Sequence, residues 1–297
     1  MRGCIPRMSF PRAILFGAAL AFGALSLQAA GTPIPHGTLE LISENPWITA
    51  GHRINLGLRF QLEKGWHIYW SNPGDSGEPP RVKWQLPTGL TVGATEWPAP
   101  RRIGSSSVVD YGYEGTVTLI VPIHAEENVA ALNHAQLTVD VMVLVCREMC
   151  IPGKAQLSLI LPIKSQPPIR DTRTEDVFAA TRKLLPRPVP VSWRFNVAET
   201  NDSLVLTANL GRQVTGATLF PLVESQINNA APQEFVTAAG GFRLVLRKSD
   251  QLLKPIERLR GVLVISGDLP YLIDVLVGKP DTTNDGSSNG THPARSF

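Results

Sequence analysis

From near residue 31 to about Ile163, apolar and polar side chains alternate with a period of two, and this alternation limits the possible folds more than any other feature. Between His52 and Phe60, Ile54, Leu56, Leu58 and Phe60 point one way while Arg53, Asn55 and Arg59 point the other. That is the pattern of a strand with one buried face. Thr116 to Ile123, Gln136 to Val145 and Ala155 to Ile163 repeat it, and clusters such as Asn72-Pro73-Gly74-Asp75-Ser76-Gly77 and Glu126-Glu127-Asn128 read as the turns between. An all-β fold is expected, with an immunoglobulin-like sandwich the economical arrangement for residues 31–165.

The alternation stops at Lys164. Residues 166–190 contain several prolines and then Thr174 to Leu185, where Val177, Thr181 and Leu184 fall at helical spacing and Glu175 and Asp176 sit near the positive N-terminal end. A short linker helix is expected there. Strands resume over residues 191–278, at Ser203 to Ala208, Ala217 to Val223, Phe242 to Arg247, Arg260 to Ile265 and Tyr271 to Val277, giving a second β-sandwich that contains neither Cys nor His. Residues 279–297 are rich in Gly, Ser, Thr, Asn and Asp and are expected to be disordered.

The first 30 residues have the composition of an export signal: Arg2, Arg7 and Arg12, then the apolar run Ala13 to Leu27, then Gln28-Ala29-Ala30. The run is too short for a bilayer span, which takes about 20 residues, so a soluble, periplasmic mature protein is expected. Without those three arginines the chain carries 25 basic and 25 acidic side chains. A neutral chain has no field to draw it onto phosphates, and no nucleic-acid partner is expected. Cys4 leaves with the signal, so two of the three cysteines remain, in a compartment that favours disulfides.

Those two are Cys146 and Cys150, in Cys146-Arg147-Glu148-Met149-Cys150-Ile151-Pro152-Gly153 at the end of a very apolar strand. Pro152 and Gly153 argue against a helix, so the pair belongs at the neck of a turn between strands. Closing so small a ring stabilises a fold by only about 2 kcal/mol, against about 4.7 for a loop of 100 residues. It is a weak brace, and a small ring at a turn is easily reached by an attacking thiolate. Three readings stay open on spacing alone: a redox pair, a local structural disulfide in an interaction module, and a soft Cu(I) site formed by Cys146, Met149 and Cys150 with Met142 as a further sulfur.

Other signals are weaker. Gly74-Asp75-Ser76-Gly77 and Thr49-Ala50-Gly51-His52 have the look of serine-protease motifs, yet Ser76 lies only 24 residues after His52, whereas that triad draws on two barrels. The mature histidines, His36, His52, His67, His124, His134 and His292, lack the paired spacing of a zinc site. His67 stands out because Trp66, Tyr69 and Trp70 surround it, although such clusters commonly serve packing. No cofactor is expected.

Four blocks in order, Gly65-Trp66-His67-Ile68-Tyr69-Trp70-Ser71-Asn72-Pro73-Gly74-Asp75-Ser76-Gly77, Trp97-Pro98-Ala99-Pro100, Tyr111-Gly112-Tyr113-Glu114 and Val145 to Gly153, resemble the N-terminal periplasmic domain of DsbD-family protein-disulfide reductases, most closely the branch associated with copper tolerance. The resemblance spans roughly Pro35 to Ile163. It implies thiol–disulfide interchange, with reducing equivalents taken from a membrane-embedded thiol donor and passed to periplasmic thioredoxin-like proteins. It further implies that Cys150 forms the mixed disulfides, that Cys146 resolves them, and that a cap loop containing Tyr111 and Tyr113 shields the pair. Full-length family members continue into a membrane domain and a thioredoxin-like domain, and this sequence contains neither.

Overall fold

The structure, a computed structural model, describes Met1 and residues 31–104 and 107–278. The expected signal segment and C-terminal tail, with His292, lie outside the described residues. Three sheets account for most of what is described. The first runs in the order Thr32–Ile34, Gly37–Ser43, Arg53–Leu62, Thr116–Ala125, Leu90–Val92. The second runs Ile48–Thr49, Cys150–Lys164, His134–Cys146, His67–Gly74, Val109–Glu114, Arg101–Gly104, with Arg81–Gln85 also paired to His134–Cys146. Their facing apolar sides form one core: Ile54, Leu56, Leu58 and Phe60 from the first sheet meet Val139, Val141, Val143 and Val145 from the second, all buried. This is the immunoglobulin-like sandwich that the alternation anticipates.

One expected turn is instead a strand. His67–Gly74 continues through Asn72 and Pro73, with an irregularity in its pairing to Val109–Glu114 between Tyr69 and Gly74. The irregularity frees the chain from the regular ladder, so Pro73, which has no N–H to give, is tolerated. The reversal begins only at Asp75. Glu126-Glu127-Asn128, also read as a turn, leads into a short 3-10 helix at Glu127–Ala131.

The linker helix forms at Glu175–Leu184, but its buried side matches the expected one only at Thr181. Phe178 and Thr181 are buried, whereas Leu184 is exposed. The large ring of Phe178 gains more from burial than Leu184 does, and the helix turns to bury it. The segment before it is tied to the first sandwich: Asn45 donates to the Ile169 carbonyl, Thr49 to the Gln166 carbonyl, and the Asp171 N–H to the Glu44 carbonyl.

Beyond the helix the strands join into one eight-stranded sheet, in the order Ala217–Pro221, Arg258–Ile265, Pro270–Gly278, Arg194–Glu199, Ser203–Asn209, Gly241–Arg247, Glu234–Ala238, with Arg187–Pro188 beside Pro270–Gly278. A short parallel pairing of Val197 with Val277 and Ala198 with Gly278 links its halves. Leu219, Leu259 and Leu263 of one half and Leu204, Leu206 and Phe242 of the other share a core. This β unit also touches the first sandwich: Phe220 is buried in the first core, its ring edge-on to Trp70 at 6.4 Å and to Tyr111 at 5.2 Å.

Candidate functional site

Strands His134–Cys146 and Cys150–Lys164 pair without slippage from His134 opposite Pro162 to Cys146 opposite Cys150. The two cysteines are therefore the last rung of the ladder, joined by a disulfide, with three residues left to turn the chain. The Arg147 N–H donates to the Met149 carbonyl across that turn. The placement agrees with the reading of Pro152 and Gly153. The two sulfurs are unequal: Cys146 is 2% exposed and Cys150 is exposed.

The same sheet supplies the surroundings. Along His67–Gly74, Ile68 and Trp70 enter the core, so His67 and Tyr69 must face the opposite side. His67 sits opposite Cys146 in the pairing register, on the edge away from Cys150. Along Val109–Glu114, Val109, Tyr111 and Tyr113 enter the core and Asp110 faces with His67. The Tyr69 hydroxyl lies 3.4 Å from Cys150 Sγ. His67 Nε2 lies 3.8 Å from Asp110 Oδ2 and has no hydrogen-bond partner. Asp110 Oδ1 accepts from the Ser76 backbone N–H at 3.1 Å and from the Ser76 hydroxyl at 2.9 Å. Gly77 is required here, because a Cβ at that position would collide with the Tyr69 ring.

These groups line an open cleft of about 470 Å³ containing His67, Tyr69, Ser76, Asp110, Cys146 and Cys150, with Ile103, Gly104 and Val108 on its rim. Burial lowers the pKa of His67 from its ordinary value and raises those of Tyr69 and Asp110. All three shifts favour the uncharged form. The cleft therefore presents the disulfide beside a phenol, with an imidazole and a carboxyl lining the same space. The hairpin tip is held from outside, where the Arg147 guanidinium lies over the Trp66 ring and His36 stacks on that ring at 3.7 Å.

The expected cap residues are elsewhere. Tyr111 and Tyr113 lie in a strand, on the core side of the sheet, opposite the cleft. The Tyr111 hydroxyl donates to Asn229 Oδ1 at 2.8 Å and that of Tyr113 to the Pro98 carbonyl at 2.7 Å. Alternation is the physical reason: if Asp110 faces the disulfide, its odd-numbered neighbours cannot. The sulfur set is also looser than expected. Met149 is exposed at the hairpin tip, but Met142 lies four residues back along the ladder from Cys146, roughly 13 Å at the usual strand rise. Among the described residues, no group of three or more His, Cys, Asp or Glu side chains is placed to hold a metal ion. Sequence reasoning noticed His67 but missed Tyr69, Ser76 and Asp110. Tyr69 was legible, two residues from His67 on the same face, while Asp110 had no local signal.

An immunoglobulin-like β domain with a disulfide at the mouth of a polar cleft belongs to a recognisable class. Residues 40–162 match the family described as thiol:disulfide interchange protein DsbD, N-terminal. Among solved structures, the N-terminal periplasmic domain of ScsB from Proteus mirabilis superposes with a TM-score of 0.61 at 15% identity, covering 82% of this chain and 94% of that one. It shares the fold. The periplasmic chaperone SfaE (TM-score 0.21, 9% identity, 80% of this chain and 99% of that one) and domains 5-6 of the S-layer protein SbsC (0.23, 10%, 82% and 99%) are far more distant. No curated protein matches by sequence. No helix among the described residues is long and apolar enough to cross a membrane.

Proposed function

We propose that this chain is a periplasmic thiol–disulfide exchange module that relays reducing equivalents through Cys146 and Cys150, from a membrane-embedded thiol donor to thioredoxin-like proteins. The observation that carries the reading is the inequality of the two sulfurs. Exchange requires in-line approach of a thiolate to one sulfur while the other leaves, and only Cys150 is open to a macromolecular thiol. A donor thiolate attacks Cys150 Sγ; the Cys146–Cys150 bond breaks, and Cys146 departs with the electron pair and takes up a proton. A second donor thiolate then attacks the donor's sulfur in the mixed disulfide and releases Cys150. The reduced pair repeats the sequence in the opposite sense on an oxidised client, Cys150 attacking and Cys146 resolving, so two electrons and two protons pass along for each cycle.

The match of residues 40–162 to a thiol:disulfide interchange family and the periplasmic setting of the ScsB domain support the chemistry and the location. The cleft supports it by placing the Tyr69 hydroxyl against Cys150. The test is equilibration of the purified protein with a thioredoxin-like protein and with glutathione buffers. A Cys146–Cys150 potential above roughly −300 mV with reversible cycling is expected. A disulfide that no thioredoxin-like protein reduces in the folded chain would remove the proposal.

A further inference from the structure

We propose that the second β unit is a working part of the redox cleft, and that Asn229 is the positioning residue through which it acts. Asn229 lies in the segment between strands Ala217–Pro221 and Glu234–Ala238, more than 75 residues beyond Cys150, and is buried. Its side-chain amide and its carbonyl are engaged on the first sandwich. Its Nδ2 donates to Asp75 Oδ1 at 2.8 Å, its Oδ1 accepts from the Tyr111 hydroxyl at 2.8 Å, and its carbonyl accepts from Arg102 at 2.7 Å.

Asp75 passes the constraint on. Its Oδ2 accepts from the Val109 N–H at 2.8 Å and its own N–H donates to the Val109 carbonyl at 3.1 Å. The turn after His67–Gly74 is thereby locked to the start of Val109–Glu114. The next residue on each side, Ser76 and Asp110, are bonded to each other and line the cleft. Asn229 is thus two side chains removed from the wall over the disulfide. Its arrangement is also directional, because the amide must donate to Asp75 while accepting from Tyr111. A nearby residue gives the contrast: Gln233 closes only on Leu219, within the second unit.

Loosening this wall lets the Ser76 and Asp110 side of the cleft give way and leaves an attacking thiolate more room beside the exposed Cys150, so attack on the disulfide becomes faster. Dithiothreitol is the probe, with the full chain as substrate. Asn229→Asp sets two carboxylates against each other, and Asp75→Asn sets two amide N–H groups against each other. The two changes alter net charge in opposite senses, yet each is expected to speed reduction by about three- to tenfold. Combining them restores one donor facing one acceptor with the original net charge, and is expected to return the rate to within about twofold of the parent. Gln233→Ala is expected to leave the rate unchanged.

The proposal is overturned if the single substitutions leave the rate unchanged, if the double variant is no closer to the parent than the singles, or if Gln233→Ala speeds reduction equally. Should the single variants fail to fold, Tyr111→Phe removes one Asn229 contact and no charge, and an unchanged rate there also overturns it. The importance of the cleft rests on the exchange reading. The dithiothreitol rate depends only on the disulfide's surroundings, so the two can fail separately: no cycling with a thioredoxin-like protein removes the exchange reading, and no rescue removes this one.

Discussion

The hydroxyl of Tyr69 stands 3.4 Å from Cys150 Sγ, and burial raises its pKa. It keeps its proton at neutral pH and so can donate to a Cys150 thiolate. Tyr69→Phe removes that donor and leaves the ring over Gly77. One hydrogen bond to a charged group is worth about 1.5–3 kcal/mol, so exchange through Cys150 should slow by about 10- to 100-fold. Stopped-flow reduction of a thioredoxin-like client by the reduced protein measures it; an unchanged rate removes the donor role. The melting temperature should move little.

His67 gives the fold a pH dependence with a defined sign. Burial holds its folded pKa below the ordinary 6.5, while Asp110 and Glu114 act in the opposite sense. The unfolded chain therefore binds this proton first, and stability from neutral burial is fully present above 6.5 and is lost as pH falls below it toward the folded value. Asp110 acts in the other direction: its folded pKa lies above 3.8, so its contribution is favourable in acid and is lost as pH rises through the folded value. Asp110→Asn removes that offset and keeps an oxygen for Ser76. Thermal unfolding between pH 4 and 7 should show a steeper acid loss in Asp110→Asn than in the parent, and a shallower one in His67→Gln.

The disulfide should contribute little to stability for all its prominence. Cys146→Ser with Cys150→Ser opens a ring that contributes only about 2 kcal/mol, and the ladder from His134 to Val145 remains to hold the hairpin. Urea unfolding should record a loss of that order with an unchanged slope, alongside complete loss of exchange. A much larger loss would mark the bond as a structural brace.

Glu44 is a stronger brace. Burial alone would raise its pKa, but bonds from Arg182 and Asn55 overcome this and hold it below 4.5. Its stabilisation is present above 4.5 and is lost as pH falls through the lower folded value. Arg182→Ala leaves the buried carboxylate without its cation and should cost about 1.5–3 kcal/mol at pH 7 by chemical unfolding. Because Arg182 belongs to the helix and Glu44 to the first sandwich, amide exchange in Glu175–Leu184 should quicken with it.

Much of the scaffold was legible because it depends on local periodicity. Ile54 to Phe60 and Val139 to Val145 declare their buried faces in sequence, and Pro152 with Gly153 puts the cysteines in a turn. Strands such as His67–Gly74 were harder to read: a chain crossing Asn72 and Pro73 looks like a turn unless the break in pairing that accommodates it is known. Phe178 over Leu184 was decided by what the helix met, not by its own spacing.

The sequence by itself determined that Cys146 and Cys150 lie together at the end of an apolar strand, because four residues and a turn bring them into register whatever else the chain does. Only the tertiary structure decided which sulfur is open, that Tyr69, His67 and Asp110 surround the pair while Tyr111 and Tyr113 turn to the core, and that Asn229 ties a distant β unit to the cleft wall. Those relations depend on pairings across 34 to 154 residues. Period-2 alternation states that a side chain has a face, but not which partner strand lies beside it.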